Sequence, residues 1–271
     1  MRTPLLASAL TTLALTLTGC GGDPFADDDR EPAEVLADAV DATLGVDSFV
    51  VDTKAALTIG ETDISLTAAG AVDYEALVAD AGITVQQGEA GGEIEIRADG
   101  ESVWFRTEGE QVPAIPQGKS WVQGEASILD GAATFDPAGL AGVVIALRAA
   151  EDVVEGGTKE IDGVQAREFS TTVTYADAVE AAGEDAGKLE SSLSLTGTAD
   201  QADLVIVAWV GEDDVIRDFD LDIEAGDVPV DGTYTVDVSG VDEDVEAPEA
   251  PAEEDVLTGA EADAFLSSVV Q

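Results

Sequence analysis

Alternation of apolar and polar side chains over several long runs restricts the fold of this chain more than any other feature of its sequence. In residues 94–98, apolar residues alternate with Glu and Arg, and Asp99-Gly100 separates this run from a second one at 102–106. An Asp-Gly pair between two such runs is a strong hairpin signal, because both residues accept the positive φ of a tight turn. Asp162-Gly163 and Asp231-Gly232 repeat the arrangement. The chain is therefore predicted to consist mainly of antiparallel hairpins.

One stretch between the predicted hairpins is less regular. Residues 76–91 contain Gly82, Gly88 and Gly91, and glycine inside a strand pattern often marks a bulge or a break. We therefore predict a loop or an irregular edge strand for this stretch.

Helical spacing of apolar residues occurs in only a few segments. Pro32 suits the first turn of a helix, and the apolar residues over 35–44 fall on one helical face. Asp136-Pro137 combines a capping residue with a proline at the first helical position, and an apolar helical face follows it. Residues 175–190 and 258–271 carry weaker helical signals. With about ten antiparallel strands, a few helices and no alternation of strand and helix, the predicted fold class is α+β.

The only cysteine of the chain, Cys20, follows directly after the first apolar run. Residues 1–19 combine Arg2 with an apolar region that is shorter than the ~20 residues needed to cross a bilayer, which is typical of a signal peptide. Leu17-Thr18-Gly19 before the cysteine resembles the lipobox of bacterial lipoproteins. In those proteins the thiol receives a diacylglyceryl group, and the leader is cut before it. The alternative is an ordinary signal peptide cleaved nearby, which would leave a free thiol.

The net charge of the chain and its lack of histidine exclude several kinds of binding partner and of catalytic site. With 58 acidic and 11 basic residues, the net charge is −47, so nucleic acid and anionic headgroups would be repelled. The chain contains no histidine, which removes the usual base of nucleophilic catalysis and a common metal ligand. We therefore expect no enzyme activity, no metal and no cofactor.

Several short motifs follow one another in a particular order after the lipobox. They are Phe49-Val50-Val51 after the first helix, Asp99-Gly100 before Trp104, Asp136-Pro137, the run 160–169 around Asp162-Gly163, Ala208-Trp209-Val210, and Thr235-Val236-Asp237-Val238-Ser239. This order resembles the LppX/LprG group of actinobacterial lipoproteins, within the LolA-like half-barrel superfamily. The resemblance covers roughly residues 32–245.

The resemblance implies a fold and a function. In that superfamily a strongly curved antiparallel sheet partly wraps helices, and the apolar cavity between the layers binds acyl chains. The chain would then be a monomer anchored through Cys20 to the extracytoplasmic face of the cell membrane, carrying or sensing a lipid or glycolipid. The candidate residues for the lining of the cavity are Leu57, Ile59, Ile64, Leu66, Ile96, Phe105, Leu140, Val143 and Leu147.

Two alternatives stay open on the residues alone. Alternating apolar residues line a cavity or fill a solid core equally well, because both require the same pattern. The acidic surface also favours a second function, in which the chain is a non-catalytic envelope module that binds a protein or a polymer.

The predicted division of the chain follows from these features. We expect a signal peptide (1–19), a lipidated cysteine with a tether (20–31), and a half-barrel domain (32–241). An acidic, proline-containing linker (242–257) and an amphipathic helix (258–271) complete the chain.

Overall fold

A computed structural model of the protein describes residues 25, 28–59, 61–126, 140–192, 202–225 and 230–269. The leader, Cys20 and the predicted helix start at Asp136-Pro137 lie outside these residues.

Twelve strands form a single sheet. They are β1 (Ser48–Ile59), β2 (Thr62–Asp73), β3 (Val78–Gln87), β4 (Ala90–Asp99), β5 (Ser102–Gly109), β6 (Trp121–Glu125), β7 (Val154–Ile161), β8 (Val164–Thr174), β9 (Asp203–Gly211), β10 (Ile216–Ala225), β11 (Val230–Ser239) and β12 (Val256–Leu257). Their order across the sheet is β12-β6-β5-β4-β3-β2-β1-β11-β10-β9-β8-β7. All neighbouring strands are antiparallel except β12 and β6, which are parallel. The sheet is not closed, since β12 and β7 lie at opposite edges.

Within the described residues, five α-helices accompany the sheet. They are α1 (Pro32–Leu44), α2 (Leu140–Ile145), α3 (Tyr175–Ala182), α4 (Ala186–Ser192) and α5 (Ala260–Val269). The predicted α+β fold class is confirmed, as a curved, open half-barrel that partly wraps its helices. In the described part of the chain, no helix combines the length and the apolar character that crossing a membrane requires.

The turn predictions have mixed outcomes. Asp99-Gly100 and Asp162-Gly163 connect hairpins as expected, with φ of 49° at Asp162 and 83° at Gly163. The prediction of a turn at Asp231-Gly232 is wrong, because both residues lie inside β11. Gly232 lies opposite Leu57 of β1, and a Cβ atom at this glycine would be 2.3 Å from Leu57 Cδ2. The glycine therefore makes room for a large neighbour instead of turning the chain.

The prediction of a loop or an edge strand over 76–91 is also wrong. These residues contain β3, a regular central strand between β2 and β4. Its alternation is carried by Ala79, Ala81, Ile83 and Val85 on one face. Two of these side chains are small, so the apolar pattern is weak in the sequence.

The core lies on one face of the sheet, here called the inner face. Register places Phe49 and Val51 of β1 on the same face as Val236 of β11, Phe219 of β10 and Phe169 of β8. All of these side chains are buried, and they pack in one cluster with apolar residues of α1 to α4. Residues at the intervening positions lie on the outer face.

The segment that follows β11 crosses the outer face before it reaches the other edge of the sheet. Asp242 N–H donates to the carbonyl of Ser48 (2.9 Å), and Arg97 Nη1 donates to the carbonyl of Glu249 (3.4 Å). Val256 then packs on Trp104 and Trp121 of the outer face. This path brings β12 to β6, at the far edge from β7.

Helix α5 returns to the inner face at the β6 edge. Phe265 and Leu266 pack in a cluster with Val122 of β6 and Leu257 of β12, and Phe105 of β5 packs against the same cluster. The inner face therefore carries α1 to α4 on one side and α5 on the other.

Candidate functional site

The inner face becomes less buried from one end of the strands to the other. On β1, Phe49 is buried, whereas Leu57 is only half-buried. On the antiparallel β2, Val72 is buried and Ile64 is half-buried. Phe49 pairs with Val72 and Leu57 with Ile64, so the same end of both strands is the more exposed one. We call the end of the sheet at Leu57 and Ile64 the open end.

The exposed part of the inner face continues over the next three strands. Register aligns Leu66 of β2 with Val85 of β3, and Ile83 of β3 with Ile94 of β4. Phe105 of β5 extends the row towards α5. Together these half-buried side chains form what we call the open inner surface: Leu57, Ile64, Leu66, Ile83, Val85, Ile94 and Phe105. It is a continuous apolar surface between two groups of helices, still partly accessible to water.

A groove of about 530 Å³ lies at the open end. Leu57, Ile64 and Gly232 of the inner face line only part of it. Most of its lining residues lie on the outer face: Ala56, Thr58, Asp63, Ser65, Gln86 and Thr233. The groove therefore lies at the ends of the strands towards the outer face, and it is not a part of the open inner surface.

The nine candidate residues from the sequence separate into three groups. The structure brings together Leu57, Ile64, Leu66 and Phe105 on the open inner surface. Four others are buried in core clusters: Leu140, Val143, Leu147 and Ile96. Ile59 ends β1 opposite Val230, and its side chain lies outside the described residues.

Three residues of the open inner surface were absent from the candidates, namely Ile83, Val85 and Ile94. Ile83 and Val85 lie in the stretch predicted to be irregular, and Ile94 shares a face with Ile96 of the same strand. The alternation of Ala79, Ala81, Ile83 and Val85 is the sequence signal from which β3 could have been predicted.

A cluster of ion pairs attaches the segment before α1 to the domain; we call it the tether cluster. The guanidinium carbon of Arg167 lies 4.8 Å from the centre of the Phe25 ring, and Arg167 Nη2 lies 2.5 Å from Asp28 Oδ2. Arg30 bridges Asp28 (2.9 Å) and Asp214 (2.8 Å) in the turn between β9 and β10. Arg167 is 5% exposed, so these contacts hold a buried cation.

Replacing Asp28 by asparagine is expected to lower the free energy of unfolding at pH 7 by about 1.5–3 kcal/mol, the usual value of hydrogen bonds to charged groups. Hydrogen bonds from Arg30, and then from Arg167, hold the pKa of Asp28 well below its usual range, although burial opposes them. Because the folded-state pKa is the lower one, this stabilisation is complete above the ordinary aspartate pKa and decreases as the pH falls towards the folded-state pKa.

Urea unfolding at pH 7 and pH 2.5 checks this prediction. The difference between the natural chain and Asp28→Asn should be smaller at the lower pH. Asp29→Asn, a change at the next and exposed residue, is the matched control and should have little effect. An Asp28→Asn variant as stable as the natural chain at pH 7 would contradict a stabilising tether cluster.

The outer face carries a row of carboxylates on three adjacent strands. Asp237 of β11 lies between Asp52 of β1 and Asp218 of β10. Burial raises the pKa of Asp237, and the negative charge of Asp218 adds to this effect. Within the described ranges, no group of three His, Cys, Asp or Glu residues is arranged to hold a metal ion. Lys54 pairs with Asp52 (2.7 Å) and Lys159 with Asp218 (2.6 Å), so the row is an acidic surface that is partly compensated by lysines.

Comparison with solved structures finds similar proteins at low sequence identity, among them a lipoprotein. The chain is similar to the lipoprotein LppX from Mycobacterium tuberculosis, with 15% identity, a TM-score of 0.43, and coverage of 80% of this chain and 100% of that chain. It is also similar to LprF from Mycobacterium bovis, with 14% identity, a TM-score of 0.44, and coverage of 80% and 96%. The resemblance that the sequence predicts is found again among these proteins.

A more distant similarity joins the chain to a LolA superfamily protein from Nitrosomonas europaea. The identity is 9%, the TM-score is 0.20, and the coverage is 82% of this chain and 96% of that chain. No family model matches the chain. No curated protein matches its sequence.

Proposed function

We propose that the protein is a lipoprotein of the cell envelope that binds an apolar ligand, a lipid or a glycolipid, on the open inner surface. In this proposal residues 1–19 are removed and lipid on Cys20 anchors the domain at the extracytoplasmic face of the membrane. Residues 32–241 hold the ligand, and the protein acts as a carrier or a sensor without catalysing a reaction.

The observation that carries the proposal is the open inner surface itself. Its seven apolar side chains lie between α1 to α4 on one side and α5 on the other, and all of them are only half-buried. Covering such a surface with hydrocarbon gains about 0.8 kcal/mol per buried CH₂, so ten methylene groups would contribute about 8 kcal/mol before the cost of association. An acyl chain supplies this cover without any specific polar contact.

Native mass spectrometry of residues 21–271, secreted by a related bacterial host behind a cleavable signal peptide, tests the proposal. We expect a population with an added mass in the range of membrane lipids, which is lost on extraction with organic solvent. A protein of unmodified mass, which also fails to bind lipid vesicles or a fluorescent fatty acid, would contradict the proposal.

The acidic outer face supports the second candidate function, a module that binds a cationic protein or polymer. The row of Asp52, Asp237 and Asp218 is its specific observation. The same mass spectrum separates the two functions, because only the first predicts a lipid of defined mass on the purified protein.

A further inference from the structure

The tether cluster and the open end lie at opposite ends of the same strands. Asp214 belongs to the turn that precedes β10, whereas Ile223, near the other end of β10, lies opposite Gly232. Gly232 in turn lies opposite Leu57, at the open end. From Ile216 to Ile223 the strand advances seven residues, or about 23 Å at ~3.3 Å per residue. We call the end at the β9–β10 turn the turn end.

The turn end is also the closed end of the inner face. Thr43 of α1 accepts a hydrogen bond from the N–H of Ile216 (2.9 Å) and donates one to the carbonyl of Ala39 (2.7 Å). Ile216 and Phe219 are completely buried there. Helix α1 is thus attached to the start of β10, and Leu44, Val46 and Val241 pack half-buried against the same core near this end.

The attachment of Phe25 limits how far Cys20 extends from the turn end. Cys20 precedes Phe25 by five residues, which span at most about 18 Å even when fully extended. This reach is shorter than the ~23 Å between the turn end and the open end. The backbone of Cys20 therefore cannot come level with the open end while Phe25 is held by Arg167.

The charges at the turn end agree with a position near a membrane. Four of the 11 basic residues of this acidic chain lie there, and each pairs with a carboxylate: Arg30, Lys159, Arg167 and Arg217. These four cations pair with six carboxylates, namely Asp28, Asp38, Glu155, Asp213, Asp214 and Asp218, so that most of their negative charge is compensated. Compensated carboxylates repel anionic headgroups less than free ones do. The turn end is therefore better suited to face a bilayer than the net charge of −47 suggests.

We infer that the domain faces its anchoring membrane with the turn end and directs the open end away from it. The open inner surface then exchanges its ligand with an acceptor beyond the bilayer that anchors the protein. This inference rests on the proposed lipidation of Cys20.

Fluorescence quenching on the full-length lipidated protein in phosphatidylcholine vesicles tests the orientation. Because lipidation consumes the thiol of Cys20, an introduced cysteine is the only free thiol and takes a single dye. Glu212→Cys labels the turn end and Glu61→Cys the open end, and both are exposed glutamates in turns. With nitroxide-labelled headgroups in the vesicle, we expect loss of emission from the Glu212→Cys label and unchanged emission from the Glu61→Cys label.

A spacer of ten Gly and Ser residues between Gly21 and Gly22 is the control, and it leaves the domain unchanged. It adds up to about 33–36 Å of reach, so we expect the difference between the two labels to shrink. A difference that persists with the spacer would overturn the role of the tether.

The other outcomes separate this inference from the proposed function. Equal quenching of both labels, or stronger quenching at Glu61→Cys, in a protein whose mass shows lipid on Cys20, overturns the orientation alone. An unlipidated Cys20 overturns the anchor and the orientation together. A secreted 21–271 form that carries and binds no lipid contradicts ligand binding and leaves the orientation standing.

Discussion

Replacing Cys20 by serine is expected to abolish the incorporation of fatty acid into the protein. The thiol is the acceptor of the diacylglyceryl group in the proposed lipobox, and serine offers no sulfur for the thioether bond. Stable anchoring requires two or more acyl chains, so a protein without them has no comparable attachment to the membrane. Growth with an alkyne-tagged fatty acid, followed by coupling to a dye and electrophoresis, measures the label on the purified chain.

Thr18→Ser is the matched control for this experiment. It changes a hydroxyl residue two positions before the cysteine and keeps the proposed acceptor, so labelling should equal that of the natural chain. Fatty-acid label that persists in Cys20→Ser would contradict lipidation at this residue. The alternative of an ordinary signal peptide predicts no label on either protein.

Introducing a carboxylate on the open inner surface is expected to remove the bound ligand. Leu66 is half-buried on the inner face of β2, in register with Val85 of β3. In Leu66→Glu, an acyl chain would cover an ionised carboxylate with no basic partner, and the effective penalty for such burial is several kcal/mol. At 1.4 kcal/mol per tenfold change in Kd, affinity should fall by about two orders of magnitude or more. Native mass spectrometry and titration with a fluorescent fatty acid measure the loss.

Thr67→Glu is the control, since it adds the same charge one residue further along β2 on the exposed outer face. There it lies opposite Lys54 of β1, which can accommodate a carboxylate. We expect unchanged lipid occupancy in Thr67→Glu, and circular dichroism should show both variants folded. A folded Leu66→Glu variant that retains its lipid would place the ligand elsewhere or leave the surface without one.

The hairpins and most of the helices could be predicted because their signals are local. Alternation around Asp99-Gly100 and Asp162-Gly163 requires no knowledge of the rest of the chain. The same dipeptide at Asp231-Gly232 was misleading, because there the glycine leaves space for the side chain of Leu57 on the neighbouring strand. Leu57 is far away in the sequence, so this requirement cannot be read locally. In β3 the signal was weak, because Ala79 and Ala81 fill inner positions with little apolar volume.

The candidate site was predictable only in part. The side-chain alternation of β1 and β2 places Leu57, Ile64 and Leu66 on the inner face, and the structure agrees. Alternation also selects Ile96 in β4, and helical spacing selects Leu147, but both side chains are buried. Periodicity states which face a side chain occupies, and it contains no information about what packs on that face.

The faces of the strands and the acidic outer surface can be assigned from the residue order, since each depends on near neighbours along the chain. Which part of the inner face stays open depends on contacts between distant residues. Phe105 meets the cluster of Phe265 and Leu266 across the β6 edge, while Arg30 reaches Asp214 at the turn end. Leu57 and Ile64 stay half-buried, because packing in three dimensions, and not periodicity, distributes the helices over the sheet.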